Sequence, residues 1–344
     1  MARIPAPELR RFTEALLTAG GFTPADAAQM ADLLVWANLR GVESHGVLRV
    51  PRYVEMLEQG IVRTGAPVAM AHRFGAVTVL DGGDCPGAVG MNAAVDRAVA
   101  AARDHGVGVC AARAISHAGA VGYFASAVAR AGMVGIVTTA SKPLMSYHGA
   151  RGEALSTNPL AIAVPMPGGE PVVLDMSTAA VALGKIMAAK DAGRTIPEGW
   201  AVDAAGRPTT DPGAVAALLP MAGAKGSGLS LMIEILTSVL PGNPVIAPAL
   251  AGQAGGGFNG LVIALAPGAF GDAAAFAAAV ADLAGAIHAL PPAEGTDAVL
   301  LPGERGAQAA AARAAGGIPL AAGTVARLAE LAGRLSVPLP QALA

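Results

Sequence analysis

Between residues 77 and 138 short apolar runs alternate with longer helical patterns, and this alternation limits the folds open to the chain more than any other feature. The spacing predicts strands over 77–80, 107–111 and 134–138, with helices over 87–104 and 122–131 between them. Strands and helices in strict succession give a layered α/β core. Further strands are expected over 161–164, 172–174 and 261–265, and further helices over 229–240, 272–289 and 325–334. Upstream, residues 7–18 and 23–39 read as helices, the second opening with Thr23 as cap and Pro24 in the first turn. Together with the segment at Ser44 they make a helical N-terminal lobe. Pro51 should kink or shorten a third helix there. Residues 204–212 read as a turn region and 306–317 as a surface helix.

Hydrophobic residues reach 53% of the 344 while aromatics make up 3%, so the core must be built from Ala, Val, Leu, Ile and Met. The formal charge of -2, without a Lys/Arg cluster, implies neither a nucleic-acid groove nor a basic membrane surface and leaves a small metabolite as partner. Cys85 and Cys110 are too few for a disulfide framework or a zinc site, which fits a reducing cytoplasm, and the N-terminus lacks a signal peptide's apolar core. The mean hydropathy is +0.53 and residues 235–271 carry no charged side chain. Pro241, Pro244, Pro248, Asn243, Gln253 and the run of Gly255, Gly256 and Gly257 nevertheless break that stretch below the ~20 apolar residues of a membrane span. It reads as a helix end, a loop and a buried strand.

Three constellations carry chemistry. Ser44 is an expected helix N-cap, after which His45 and Arg49 share one face, a proton donor and a fixed cation within one turn. The same residues would equally make a capped helix facing water. His117 lies between a strand and a helix, at the end of a sheet where ligands are commonly held, either as an acid/base or as a loop histidine bonded to backbone. Gly223 to Gly228 opens an apolar helix. Its glycines, the helix start and Lys225 would cradle a phosphate, or merely enter a buried helix. Asp175 ends a strand where it can bond a ribose hydroxyl, with Ser177 or Thr178 as a cap for the next helix. His72, His105, His148 and His288 show no metal-ligand spacing and are expected to be structural or exposed, and no metal is expected. There is no Gly-x-Gly-x-x-Gly between strand and helix and no P-loop, so a nucleotide would bind in another way.

In this order the pieces resemble the type 2 malate/L-lactate dehydrogenase family, whose members also include sulfolactate, ureidoglycolate and 2,3-diketogulonate oxidoreductases and cyclic imino-acid reductases. The likeness rests on Ser44-His45-Gly46 with Arg49, Ser116-His117 through Tyr123, Thr157-Asn158-Pro159, Asp175-Met176-Ser177-Thr178, Ile196-Pro197-Glu198-Gly199-Trp200, Lys225-Gly226 and Pro302-Gly303-Glu304-Arg305. It implies a non-Rossmann α/β fold with three parts: a helical N-terminal lobe over 1–75 that packs with the C-terminal segment, a mixed-sheet cofactor- and substrate-binding core over 76–250, and strand and helices over 251–344. It also implies an NAD(P)-dependent, cytoplasmic homodimer acting on a small 2-oxo or 2-hydroxy carboxylate, with a cyclic imino acid as the alternative substrate. By the same resemblance His45, His117 and Ser44 are the catalytic residues, and Arg49, Tyr53 and Lys142 bind substrate. Ser141, Asp175, Met176, Ser177, Lys225, Gly226, Glu304 and Arg305 would line the cofactor. The chain departs from the family pattern at Ser156, Ala224 and Ser227, while Gly184-Lys185-Ile186 looks like the hydroxy-acid members.

Overall fold

Each apolar run of the opening alternation becomes a strand that extends past its pattern, and the helices between them lie where the period places them. The computed structural model describes residues 2–191, 193–253 and 257–343, so Gly255 and Gly256 of the expected loop lie outside the described residues. In chain order the first half runs β1 (Ala2–Ile4), α1 (Ala6–Ala19), α2 (Pro24–Leu39), α3 (Val50–Glu58), β2 (Ala69–Phe74), β3 (Val77–Cys85), α4 (Gly87–His105), β4 (Val107–Ile115), α5 (Gly122–Arg130) and β5 (Val134–Ala140). The second half adds β6 (Leu160–Val164), β7 (Val172–Met176), α6 (Leu183–Asp191), β8 (Ala201–Val202), β9 (Ala217–Leu218) and α7 (Ala224–Glu234), which continues into a π-turn, Ile235–Val239. Then come α8 (Ile246–Leu250), β10 (Phe258–Leu265), α9 (Ala273–His288), α10 (Glu304–Gly316), β11 (Ile318–Leu320) and α11 (Ala322–Arg334).

Among the described residues seven strands form one mixed sheet in the order β2-β3-β4-β10-β5-β6-β7. β3 and β4 are parallel, as a strand-helix-strand unit requires, while β10 inserts antiparallel between β4 and β5. β10 occupies the middle because nearly all of Phe258–Leu265 is apolar or small and most of it is buried. α4 packs against β3, β4 and β10, and α5 against β5, β6 and β7. The main core is contiguous from Ile4 to Leu343, with Leu9, Leu16, Leu33, Met91 and Phe124 all buried; truncating one such side chain to Ala costs ~2–5 kcal/mol. β1 pairs with β11, joining the two ends of the chain. A second apolar cluster gathers Met145, Ile186, Leu218 and Ile246 with Leu231 at its margin. No described helix is long and apolar enough to cross a membrane.

Local chemistry explains the helix starts. The Thr23 hydroxyl accepts the Asp26 amide, and Asp272 accepts the amides of Ala274 and Ala275. Pro51 neither kinks nor shortens a helix, because it falls in the first turn of α3, where no intrahelical bond is lost. The expected helix over 229–240 starts five residues earlier, so Lys225 and Gly226 lie in its first turn instead of ahead of it. β2, α6 and the pairs β1/β11 and β8/β9 lacked a period long enough to read.

Candidate active site

The Ser44 segment is not one capped helix. Glu43–His45 and Val47–Arg49 are separate 3-10 turns, with Gly46 extended between them. Asn38 fixes this break by accepting the Val47 amide on Oδ1 at 2.7 Å, and a side chain at Gly46 would collide with that same carboxamide. Ser44 therefore caps nothing; its Oγ lies 2.9 Å from His45 Nδ1. Arg49 Nε donates to the Ser44 carbonyl at 2.8 Å, so the cation is held beside the imidazole by the fold of the turn.

His117 arrives from the sheet. β4 ends in a bulge at which Ala114 takes φ 50 and gives its amide to Asn259 of β10, whose register slips between Phe258 and Gly260. The Ser116 amide bonds to the Cys85 carbonyl and its hydroxyl accepts the Gly87 amide. Gly87 has no room for a Cβ against the His117 carbonyl, so α4 presses on the loop that carries the imidazole. From α3, one turn after Arg49, the buried Tyr53 places its Oη 2.7 Å from His117 Nδ1. His45 and His117 then stack at 5.6 Å between centroids, 13° from parallel, with Phe258 edge-on to His117 at 5.5 Å. Both rings are half-buried, and hydroxyls hold both Nδ1 atoms, which leaves Nε2 as the atom each ring offers.

This enclosure keeps both rings neutral. Burial pushes His45 down to about 4, with Arg49 adding to the effect; burial, then His45, then Arg49 hold His117 well below the ordinary imidazole value. Burial raises the Tyr53 phenol, so its proton stays on and can be donated to His117 Nδ1. His117 would then carry its own proton on Nε2.

The expected cofactor residues form a second, connected patch. Ser141, after β5, bonds Ser156 at 2.6 Å between hydroxyls, and exposed Lys142 comes directly after it. Asp175 Oδ2 accepts the Gly122 amide at 3.0 Å; burial pushes this carboxyl up to about 6 against the pull of that amide and of Arg40. Met176 is half-buried beside it, and Ser177 Oγ donates to the Thr157 carbonyl. Arg40, which sequence reasoning missed, stacks on Trp36 and donates to the Gly303 carbonyl, linking Asp175 to the start of α10. There Glu304 is engaged by His288 and the Leu301 amide, with Arg305 exposed next to it. Lys225 sits in the uncapped first turn of α7, where the His148 ring lies against Gly223. Phe258, Asn259 and Arg40 carried no local signal, since their roles depend on pairings far along the chain. Among the described residues no group of three or more His, Cys, Asp or Glu side chains is placed to hold a metal.

Comparison with known proteins gives a consistent set. A family model described as malate/L-lactate dehydrogenase matches residues 4–329. Ureidoglycolate dehydrogenase (NAD(+)) of Escherichia coli K12 is 34% identical over 306 residues, 88% of either chain. A delta(1)-pyrroline-2-carboxylate/delta(1)-piperideine-2-carboxylate reductase of Pseudomonas putida is 36% identical over 245 residues, 70% of this chain and 72% of the reductase. The crystal structure of malate dehydrogenase from Entamoeba histolytica superposes with a TM-score of 0.91 at 25% identity, covering 98% of this chain and 99% of that one.

Proposed function

Because this chain belongs to the malate/L-lactate dehydrogenase family, it is an NAD(P)-dependent oxidoreductase, and we propose that His45, His117 and Arg49 act on a small 2-oxo or 2-hydroxy carboxylate. The observation that carries the reading is two neutral imidazoles stacked at 5.6 Å beside a tethered guanidinium. With Nε tied to the Ser44 carbonyl, the Arg49 Nη atoms remain to take the substrate carboxylate as a bidentate pair. That negative charge offsets the Arg49 field on both rings, so proton donation is coupled to substrate binding. Having taken up a proton from solvent as the carboxylate binds, the His117 imidazolium gives its Nε2 proton to the substrate oxygen as the alcohol forms and returns to the neutral ring, and the neutral ring takes that proton back in the reverse direction. Tyr53 fixes the tautomer, while His45, held by Ser44, orients the oxygen from the other side. Lys142 supplies a cation for a second acidic group.

The patch from Ser141 to Arg305 fits the cofactor by its donor set. Hydroxyls at Ser141 and Ser156 and the free Oδ1 of Asp175 suit ribose hydroxyls, and the uncapped start of α7 with Lys225 and Gly226 suits a phosphate. Met176, Ser177, Glu304 and Arg305 complete the surroundings. When bound, NAD or NADP exchanges a hydride at nicotinamide C4. In this reading residues 76–250 carry most of the cofactor contacts, and the lobe over 1–75 brings the Ser44 turn across them. The two buried free thiols, Cys85 and Cys110, fit work in a reducing cytoplasm, where the enzyme acts as a homodimer.

Reduction of a cyclic C=N bond needs the same proton donor, and the Pseudomonas putida relative is named for it. NAD(P)H oxidation assayed with both 2-oxo acids and cyclic imino acids separates the two substrates. Turnover with 2-oxo acids, cut by at least ~100-fold in His117→Ala, is expected. Turnover confined to the cyclic imines would replace the oxo-acid assignment.

A further inference from the structure

The strand that leads to His117 leaves the sheet through a bulge, and one buried carboxamide fills it. Between the pairs Phe258–Ile115 and Gly260–Ala112, Asn259 of β10 alone stands opposite two residues of β4, Arg113 and Ala114. The extra residue is accommodated at Ala114 by φ 50, a left-handed backbone that alanine rarely adopts, and from there Ile115 and Ser116 lead to the imidazole. The Ala114 amide is taken by a side chain. Asn259 Oδ1 accepts it at 3.1 Å.

The carboxamide has no freedom to turn, being fully buried with all four of its bonding positions in use. Oδ1 also accepts Asn243 Nδ2 at 2.7 Å, while Nδ2 donates to the Asn243 carbonyl at 2.9 Å and to Ser238 Oγ at 3.0 Å. Its orientation follows from its partners, since the Ala114 amide can only donate and the Asn243 carbonyl can only accept. Ser238 gives its own proton to Glu234, whose other oxygen takes the amides of Val245 and Ile246. Arg113, the second bulge residue, donates to the Pro241 carbonyl, so both residues of the bulge are tied to the loop that follows the π-turn. The neighbours of Asn259 reach the site. Phe258 meets the His117 ring edge-on, and across the sheet Asn259 pairs with Ala140, the residue before Ser141.

We propose that Asn259 is a positioning residue for the reaction: its carboxamide holds Ala114 in the left-handed turn, and thereby keeps His117 on Tyr53 Oη and stacked on His45. A left-handed alanine persists only where its surroundings impose it, and the bond from Asn259 is the constraint seen here. Glycine would take the same turn unaided. A shift of about 1 Å at the imidazole suffices to slow an aligned proton transfer ~100-fold. The consequence for turnover rests on the reading of His117 as proton donor; the effect on the ring does not.

Steady-state NADH oxidation and nitrogen-15 NMR of the histidine rings, applied to wild type, Asn259→Ala, Asn259→Ala/Ala114→Gly and His117→Ala, test the proposal. In Asn259→Ala kcat is expected to fall ~10- to 100-fold with the KM for the oxo acid within ~2-fold. The two ring-nitrogen signals of His117, identified by their loss in His117→Ala, are expected to converge as the Tyr53 bond is lost and the tautomers mix. Adding Ala114→Gly should recover ~5-fold or more of kcat, because the turn no longer needs a constraint; a loss of stability alone would show no such rescue. Should Asn259→Ala fail to fold, Asn243→Ala removes one bond to the carboxamide from a half-buried position and should lower kcat ~2- to 5-fold with the same constancy of KM. Unchanged ring signals, an unchanged kcat, or no recovery with Ala114→Gly overturns the positioning role. Full turnover in His117→Ala overturns the catalytic reading instead, while the ring signals still decide whether Asn259 holds the imidazole.

Discussion

Replacing Tyr53 with Phe isolates the contact that, in the proposed mechanism, turns an ordinary loop histidine into an aimed proton donor. The change removes one atom, Oη, 2.7 Å from His117 Nδ1, and leaves a ring of the same shape in a buried site. An enclosed Nδ1 without a partner costs ~1–3 kcal/mol. At 1.36 kcal/mol per tenfold, kcat should fall ~5- to 150-fold if that cost is borne when the proton moves. The KM for the oxo acid should change little, because the proposed Arg49 contact to the carboxylate is untouched. Steady-state NADH oxidation in four proteins completes the assay: wild type, Tyr53→Phe, His117→Ala and the double variant. Since Tyr53 acts through His117, its substitution should cost nothing further once the imidazole is gone. An equal loss of kcat in both backgrounds, or an unchanged kcat in Tyr53→Phe, would refute the reasoning.

In the free enzyme His45 is neutral down to about pH 4 and His117 well below 6.5, so the acid limb of kcat/KM for hydroxy-acid oxidation should fall far below pH 6.5; a limb at the ordinary imidazole value would contradict the enclosure. Stability should fall with pH below 6.5, where the unfolded chain takes up protons that the folded histidines refuse, His45 accounting for about 2–3 kcal/mol by pH 4. Asp175, raised to about 6, opposes this by binding a proton in the folded state first, so Asp175→Asn should steepen the loss in urea melts between pH 6 and 4. Arg49→Ala should lower kcat/KM ~10- to 150-fold, chiefly through KM for the carboxylate, and an unchanged KM would remove Arg49 from that role. Lys225→Ala should raise the KM for NAD(P)H with kcat nearly constant; a fall in kcat alone would point away from phosphate anchoring.

The alternation from Val77 to Thr138 showed the layered core because strand and helix periods are local. The insertion of β10 between β4 and β5 was not legible, since a strand more than 100 residues downstream finds its place by burial on both faces. At Ser44 the residues were legible and the backbone was not. Their spacing fits a helix, but Asn38 captures the Val47 amide and splits the segment into two tight turns. Tyr53 was readable only as a substrate residue, because its partner lies 64 positions away. The helix after Lys225 misled most. Its apolar residues suggested a buried face, whereas its serines, threonine and glutamate are buried together with Ile233, and Met232, Ile235, Leu236, Val239 and Leu240 are exposed.

Hydride exchange between nicotinamide C4 and substrate C2, above the paired imidazoles, is the central claim. NADH deuterated at C4 on the transferred face, turned over with a 2-oxo acid, tests this directly. Deuterium is expected at C2 of the hydroxy-acid product in wild type, with the label retained in unreacted cofactor in His117→Ala. A product without deuterium at C2, or full turnover in the variant, would contradict it.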